Sequence, residues 1–338
     1  MIEQISKLVR GESLTETEAS AAMEKIMSGD ATPAQIAGFV VALRIKGESA
    51  DELTGLVRAA RANATPIDAG EGLLDTCGTG GDGTGTFNIS TLAAIVAAAA
   101  GARVAKHGNR AASSVCGSAD VLEALGVKID LGAEGVTRCI REAGIGFLFA
   151  PVFHPSFRYA TGPRRELGVR TVFNILGPLC NPAGASRQAL GVADGALAAT
   201  MAEVLARLGV ERALVFHAED GMDELSTVAP STVIEINADE RREYRLDPGE
   251  LGLRAASAAD VRGGDAAENA AIARDVLSGA GGPRRDIVLL NAAAALHVAG
   301  LAGDWQEGMA AAAEAIDSGK AAATLERWVA VSQAVAVA

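Results

Sequence analysis

The sequence predicts an α/β protein: a small N-terminal all-helical domain, then a larger α/β domain whose substantially parallel central sheet is flanked by helices. Three observations lead there. Residues 1–65 place apolar side chains at helical intervals only, the stretch "ANATPIDAGEG" (62–72) breaks that pattern, and beyond it short apolar runs alternate with longer helical segments. Such alternation is the texture of strand–helix units feeding one parallel sheet. At 338 residues, 49% of them hydrophobic, the chain has room for two domains.

Taken in order, the helical part (1–65) announces its own ends. Thr15 with Glu18 and Ser49 with Glu52 match the capping-box spacing, in which two side chains satisfy free backbone N–H groups reciprocally. Thr32–Pro33 puts a proline at a first helical position, and Gly29 and Gly47 fall at helix stops. In the α/β part (66–338), strands are expected at 73–77, 102–106, 147–150, 212–217 and 232–237. Helices are expected at 90–100, 118–125, 134–143, 195–208, 265–278 and 320–335. Aromatic residues make up only 4% of the chain, so the core must be built from Ala, Val, Leu and Ile.

Composition narrows the function. A formal net charge of −12 argues against nucleic-acid binding, which needs a basic footprint, and no apolar run has the length of a membrane span. The N-terminus lacks an apolar signal-peptide core, and Cys77, Cys116, Cys139 and Cys180 show neither metal nor disulfide spacing. A reducing cytoplasmic location is expected. Any site for an anion must be locally basic, and basic residues gather in "RVAKHGNR" (103–110) and "FRYATGPRRELGVR" (157–170).

The densest motif is "DTCGTGGDGTGTFNIST" (75–91), with five glycines between positions 78 and 85. It contains G-x-G-x-x-G, but the next strand ends in Lys106 and His107, where a dinucleotide site needs a carboxylate for the ribose. No Gly-Lys-Ser/Thr follows, which removes the P-loop reading. What remains is a backbone N–H cradle leading into a helix start at "NIST", with Asn88 or Ser90 as N-cap, suited to phosphate. Glycines that only permit close strand–helix packing are the alternative. A second unit of the same design, "KHGNRAASSVCGSADVLEALG" (106–126), would bring Lys106 and Arg110 to the same sheet edge, although Arg110 could equally be a surface ion pair. The acids Asp223 and Glu224 in "EDGMDELST" (219–227), together with Asp82, are oxygen ligands of the kind Mg²⁺ takes beside substrate phosphates, or else a solvated turn.

The order of these motifs, continued by "GFLFAPVFHPSFRYATGPRRELGVRTVFNILGPLCNPA" and "RDIVLLNAAAALHVAG", resembles the anthranilate phosphoribosyltransferase family over nearly the whole chain. The resemblance implies the fold shared with pyrimidine nucleoside phosphorylases, with a segment around 163–180 returning to the helical domain. It also implies Mg²⁺-dependent transfer of a phosphoribosyl group from phosphoribosyl pyrophosphate (PRPP) to anthranilate in tryptophan biosynthesis. Carried over, Gly78, Gly81, Asp82, Thr86, Asn88, Ile89, Ser90, Thr91, Lys106, His107, Gly108, Asn109, Arg110, Ala111, Ala112, Ser113, Ser114 and Ser118 would surround PRPP. Gly78, Asn109 and Arg164 would hold anthranilate, and Ser90, Asp223 and Glu224 would hold magnesium, two ions per subunit. No residue is assigned as general base, His107 being the nearest candidate. The family implies a homodimer and an association with anthranilate synthase components. Gly162–Pro163 departs from the family's small residue and valine, and the proline reads as a first helical position. A nucleoside phosphorylase should show a Lys-His-Ser-Thr-Gly-Gly loop, which is absent. A non-catalytic nucleic-acid-binding relative should have lost Arg164 or the acid pair and gained basic surface.

Overall fold

The computed structural model describes residues 1–111, 115–238 and 240–336. Four helices open the chain: α1 (Ile2–Val9), α2 (Glu16–Met27), α3 (Pro33–Lys46) and α4 (Ala50–Ala62). The capping boxes at Thr15/Glu18 and Ser49/Glu52 are formed, and Thr32 makes a third with Gln35 ahead of Pro33. Helices α2 and α4 pack so closely that a Cβ on Gly55 would overlap the Glu16 carbonyl.

Seven strands follow in one sheet: β1 (Leu73–Gly78), β2 (Arg103–Gly108), β3 (Ile145–Phe149), β4 (Arg187–Gly191), β5 (Arg212–Ala218), β6 (Ser231–Asn237) and β7 (Glu240–Leu246). Their order is β3-β2-β1-β4-β5-β6-β7, parallel from β3 to β5 and antiparallel at β6 and β7. The helices of this part are α5 (Ile89–Ala99), α6 (Ser118–Leu125), α7 (Ala133–Ala143), α8 (Ala150–Phe153), α9 (Arg158–Leu167), α10 (Phe173–Leu176), α11 (Ala198–Arg207), α12 (Ala266–Leu277), α13 (Pro283–Ala299), α14 (Trp305–Asp317) and α15 (Lys320–Ala336). Side chains alternate across the sheet. Leu214 and Phe216 of β5 join the core beneath α5 and α13, while Ala213 and Val215 join a second core shared with α11 and the helical bundle. Ala160, Phe173 and Leu176 enter that second core, and α9 lies against α3.

Three elements differ from expectation. β4 reads "RQALG", too short and too polar to announce a strand, yet it lies at the centre of the sheet between β1 and β5. β7 reads "ERREYRL" and is set by pairing with β6 at the sheet edge, with Leu246 and Tyr244 reaching the core. Pro163 is not at a helix start: α9 begins at Arg158, and the proline lies inside it, where its missing N–H leaves the Tyr159 carbonyl without the usual donor. Among the described residues, no helix is long and apolar enough to cross a membrane.

Candidate active site

The strand order reverses between β1 and β4, and in open parallel sheets a crevice opens outside the carboxyl ends at such a point. Gly78 and Gly191 end these two strands in register. A Cβ on Gly78 would overlap the Asp223 carboxylate, and one on Gly191 would overlap the Asp223 backbone. The two glycines therefore admit Asp223 to the floor of the crevice, although it lies 145 positions along the chain from Gly78.

The glycine loop leaves β1 with positive φ at Gly80, Gly81, Gly83 and Gly85. Gly80 N–H donates to Asp223 Oδ2 at 2.6 Å, and Ser90 N–H, in the first turn of α5, donates to Glu224 Oε1 at 3.1 Å. The acid pair thus reaches both ends of the loop. The distal end is anchored where Thr86 bridges Arg262 and Gly263 N–H donates to Gly85 O at 2.9 Å. Asp82 accepts from the backbone and hydroxyl of Thr84. Asn88 occupies the N-cap position without capping: its amide donates to Cys116 O at 3.2 Å, and its Oδ1 accepts from Asn269 at 3.0 Å. Ile89 and Thr91 are buried beside it. The positive end of α5 faces the crevice without a side-chain cap.

Lys106, 2% exposed, runs under this loop from β2. Its ammonium donates to Thr76 O at 2.6 Å and lies 3.4 Å from Ser90 Oγ. Burial lowers its pKa, while Asp75, Cys77 and Glu224 favour the charge. His107 is held neutral: burial first, then His154, pushes its pKa down to about 3. Its Nδ1–H donates to Gly177 O at 3.1 Å, which leaves Nε2 an acceptor, enclosed and without a partner among the described residues.

Burial and then the charge of Asp82 raise Asp223 to about 7, and burial and then Asp223 raise Glu224 to about 8. Two clustered carboxylates that resist ionisation are stabilised by a cation between them and an anionic ligand. Among the described residues, no three His, Cys, Asp or Glu side chains form a complete metal cage. The oxygen-only donors Asp223, Glu224 and the Ser90 hydroxyl fit a magnesium that takes its remaining ligands from water and phosphate.

The second loop is only partly as expected. Ser118 starts α6, and its hydroxyl donates to Asn109 O at 3.3 Å, against Gly108. Asn109 is exposed, with Oδ1 accepting from Arg110 N–H at 2.8 Å. Arg110 does not face the glycine loop: it forms ion pairs with Asp120 and Glu123 of α6, both at 2.9 Å. Ala111 N–H donates to Asp120 as well, at 3.0 Å. Ala112, Ser113 and Ser114 lie outside the described residues. Arg164 projects from α9 with its guanidinium 5.3 Å from the Phe173 ring centroid, and burial lowers its pKa. The sequence reading missed Arg170, which donates to Gly80 O at 2.7 Å, and Gly191. The first closes a basic run that had been noticed as a whole, whereas the second ends a strand that had not been seen.

An anion cradle with an acid pair at a switch point, below a helical bundle, is the arrangement a sugar-phosphate transferase needs. Two family models agree, the glycosyl transferase helical bundle domain over residues 2–64 and the glycosyl transferase a/b domain over 70–322. Anthranilate phosphoribosyltransferase 2 of Streptomyces coelicolor is 63% identical over 93% of this chain and 94% of its own length. The crystal structure of anthranilate phosphoribosyltransferase from Thermus thermophilus superposes with a TM-score of 0.92 at 48% identity, covering 98% of this chain and 99% of the other. The Saccharomyces cerevisiae enzyme in complex with PRPP and Mg superposes at 0.91 with 29% identity, covering 98% of each chain. The chain belongs to the anthranilate phosphoribosyltransferase family of glycosyl transferases.

Proposed function

We propose that this chain transfers the 5-phosphoribosyl group of PRPP to the amine of anthranilate, giving N-(5-phosphoribosyl)anthranilate and pyrophosphate, as a Mg²⁺-dependent step of tryptophan biosynthesis. One observation carries the reading: Asp223 and Glu224 bond to the backbone at opposite ends of the glycine loop, over a buried Lys106. The yeast relative's complex with PRPP and Mg supports the choice of ligand.

In this reading the loop from Gly78 through Thr86, the helix start Asn88–Thr91, and Lys106 through Ala111 with Ser118 surround PRPP. Anthranilate lies between Asn109, Gly78 and Arg164, its carboxylate on the Arg164 guanidinium, which has no acid partner among the described residues. The anthranilate amine arrives neutral, so attack needs positioning rather than a strong base. The difficult event is departure of pyrophosphate from the anomeric carbon. Lys106 and the N–H groups of the loop and of α5 offset the charge that grows there. Bound magnesium would neutralise that charge further, held by Ser90, Asp223 and Glu224. In this reading two ions bind per subunit, as the family resemblance implies. The bundle 1–65, with the segment 163–180, acts as one body closing on the α/β part (66–338). Ile2 and Val9 of α1 and Ile45 of α3, all exposed, support a homodimer through the bundle.

The deciding experiment follows anthranilate fluorescence with enzyme and Mg²⁺ while PRPP is added. A PRPP-dependent loss that EDTA abolishes is expected. Unchanged fluorescence from folded protein that still binds PRPP would move the acceptor to another amine.

A further inference from the structure

Arg170 lies between α9 and α10, and it has no part in the reaction as proposed above. Its Nη2 donates to Gly80 O at 2.7 Å and to Thr79 O at 3.4 Å, gathering two successive carbonyls of the glycine loop on one side. In a trans peptide, the N–H following a carbonyl points the opposite way. Fixing the Thr79 carbonyl therefore aims the Gly80 N–H away from Arg170, and that N–H is the donor to Asp223. Fixing the Gly80 carbonyl likewise aims the Gly81 N–H toward the crevice, where no acceptor takes it among the described residues. Successive N–H groups held on one side make an anion site. The fit admits no side chain: a Cβ on Gly81 would overlap the Arg170 guanidinium.

The other side of Arg170 borders a cavity of about 200 Å³ between the loop and the bundle, walled by Arg44, Glu48, Thr79, Gly81 and Thr171 among others. The Glu48 side chain is 1% exposed, and neither carboxylate oxygen has a hydrogen bond among the described residues; its nearest cation there, Arg44, is 3.6 Å away. The Thr171 hydroxyl, also buried, has no partner among them either. A buried carboxylate without a donor is costly, and the void next to it adjoins a guanidinium with unused donors.

We propose that Arg170 is a positioning residue for the reaction: it holds the glycine loop with the Gly80 N–H on Asp223 and the Gly81 N–H toward the pyrophosphate, and pairs with Glu48 across the void when the bundle closes on the sheet. The loop is set by one edge of the guanidinium and closure is sensed by the other, so phosphate binding and domain closure share a side chain. This rests on the PRPP reading of the loop.

The test is calorimetric titration of PRPP with Mg²⁺ into wild type, Arg170→Ala, Arg170→Lys, Glu48→Gln and the Arg170→Ala/Glu48→Gln double variant, with KM for both substrates. Arg170→Ala should raise the PRPP Kd about 10–100-fold, the loss expected for hydrogen bonds from a charged group, with the anthranilate KM within about twofold. Arg170→Lys should recover little, because a single ammonium, even when it bonds the carbonyls, lacks the further guanidinium nitrogens that would turn toward Glu48 at the same time. Should Arg170→Ala not fold, Arg170→Lys decides alone, with at least about a fivefold loss expected. Glu48→Gln should weaken PRPP binding, and the double variant should be no worse than Arg170→Ala. A PRPP Kd unchanged in both Arg170 variants overturns the proposal, and additive losses in the double variant overturn the partnership with Glu48. Wild type that fails to bind PRPP with Mg²⁺ removes the reading of the loop itself, and this proposal with it.

Discussion

Both edges of the sheet carry charged side chains, and they treat them differently. At the amino edge, a cavity of about 650 Å³ opens between the start of β5, the end of β6 and the C-terminal turn of α13. Several of its charges are paired: His297 with Glu235 Oε1 and Arg242 with Glu235 Oε2, both at 2.9 Å, while Arg212 donates to Asn237 at 3.2 Å and His297 Nδ1 has no partner among the described residues. At the carboxyl edge Asp223 and Glu224 repel one another; in the helical part Glu48 has only the distant Arg44, at 3.6 Å, and no hydrogen-bond donor among the described residues, and Arg164 faces an aromatic ring rather than an acid. The larger cavity is the better paired of the two. Groups held in tension without a partner mark a place where a ligand completes the electrostatics.

The sharpest way to break this contrast is to neutralise an acid at each edge. Asp223→Asn combined with Glu224→Gln should lower kcat/KM by about 10³-fold or more and end the response to Mg²⁺. Glu235→Gln should leave turnover within about twofold. Equal losses at both edges would show that unpaired charge is no guide to the site. A smaller effect separates the two substrates. Arg164→Ala should raise the anthranilate KM about 10–100-fold, while the PRPP KM moves little. The reverse ranking, read from steady-state kinetics, would take Arg164 away from anthranilate.

Stability against pH gives the next prediction. In the metal-free fold, Asp223 and Glu224 keep their protons to about 7 and about 8, above the values of an unfolded chain. From about pH 4 up to those values the unfolded chain binds fewer protons, so stability falls as pH rises through that window. The Asp223→Asn/Glu224→Gln variant should therefore melt about 2–5 °C above wild type at pH 8.5 without metal and near it at pH 4.5. Added Mg²⁺ should raise the wild-type Tm more at pH 8.5 than at pH 6, and a melting gap independent of pH would remove the acid pair as its cause. The smallest effect belongs to the amino edge, where Glu235→Gln should cost about 0.5–1.5 kcal/mol in denaturant unfolding with both KM values unchanged.

Much of the fold was legible because its determinants are local. Thr15, Thr32 and Ser49 start helices through bonds to residues three positions away, Pro33 fits the first helical position, and Ser118 starts α6 where the spacing placed it. β4 and β7 were not legible. A central strand of five residues and an edge strand of charges acquire their structure from neighbours, not from a pattern of their own. Pro163 misled for a related reason: packing of α9 against α3 extends the helix back to Arg158 and carries the proline inside it.

The site divides in the same way. By itself the sequence determined the glycine loop, the helix that follows it and the chemical character of Lys106, Asp223 and Glu224, since residue type and short-range geometry suffice for each. Only the tertiary structure decided which charges are spent on one another and which remain for a ligand. Arg110 and Lys106 stand four positions apart on one strand and loop, yet the first is neutralised by Asp120 and Glu123 and the second is buried under the loop. Asp223 reaches Gly80 across 143 residues because two glycine-ended strands meet in register at the switch point. Such pairings depend on distances and burial that exist only once the sheet has assembled, because an ionic or hydrogen-bonded partner is set by position in space, not by separation along the chain.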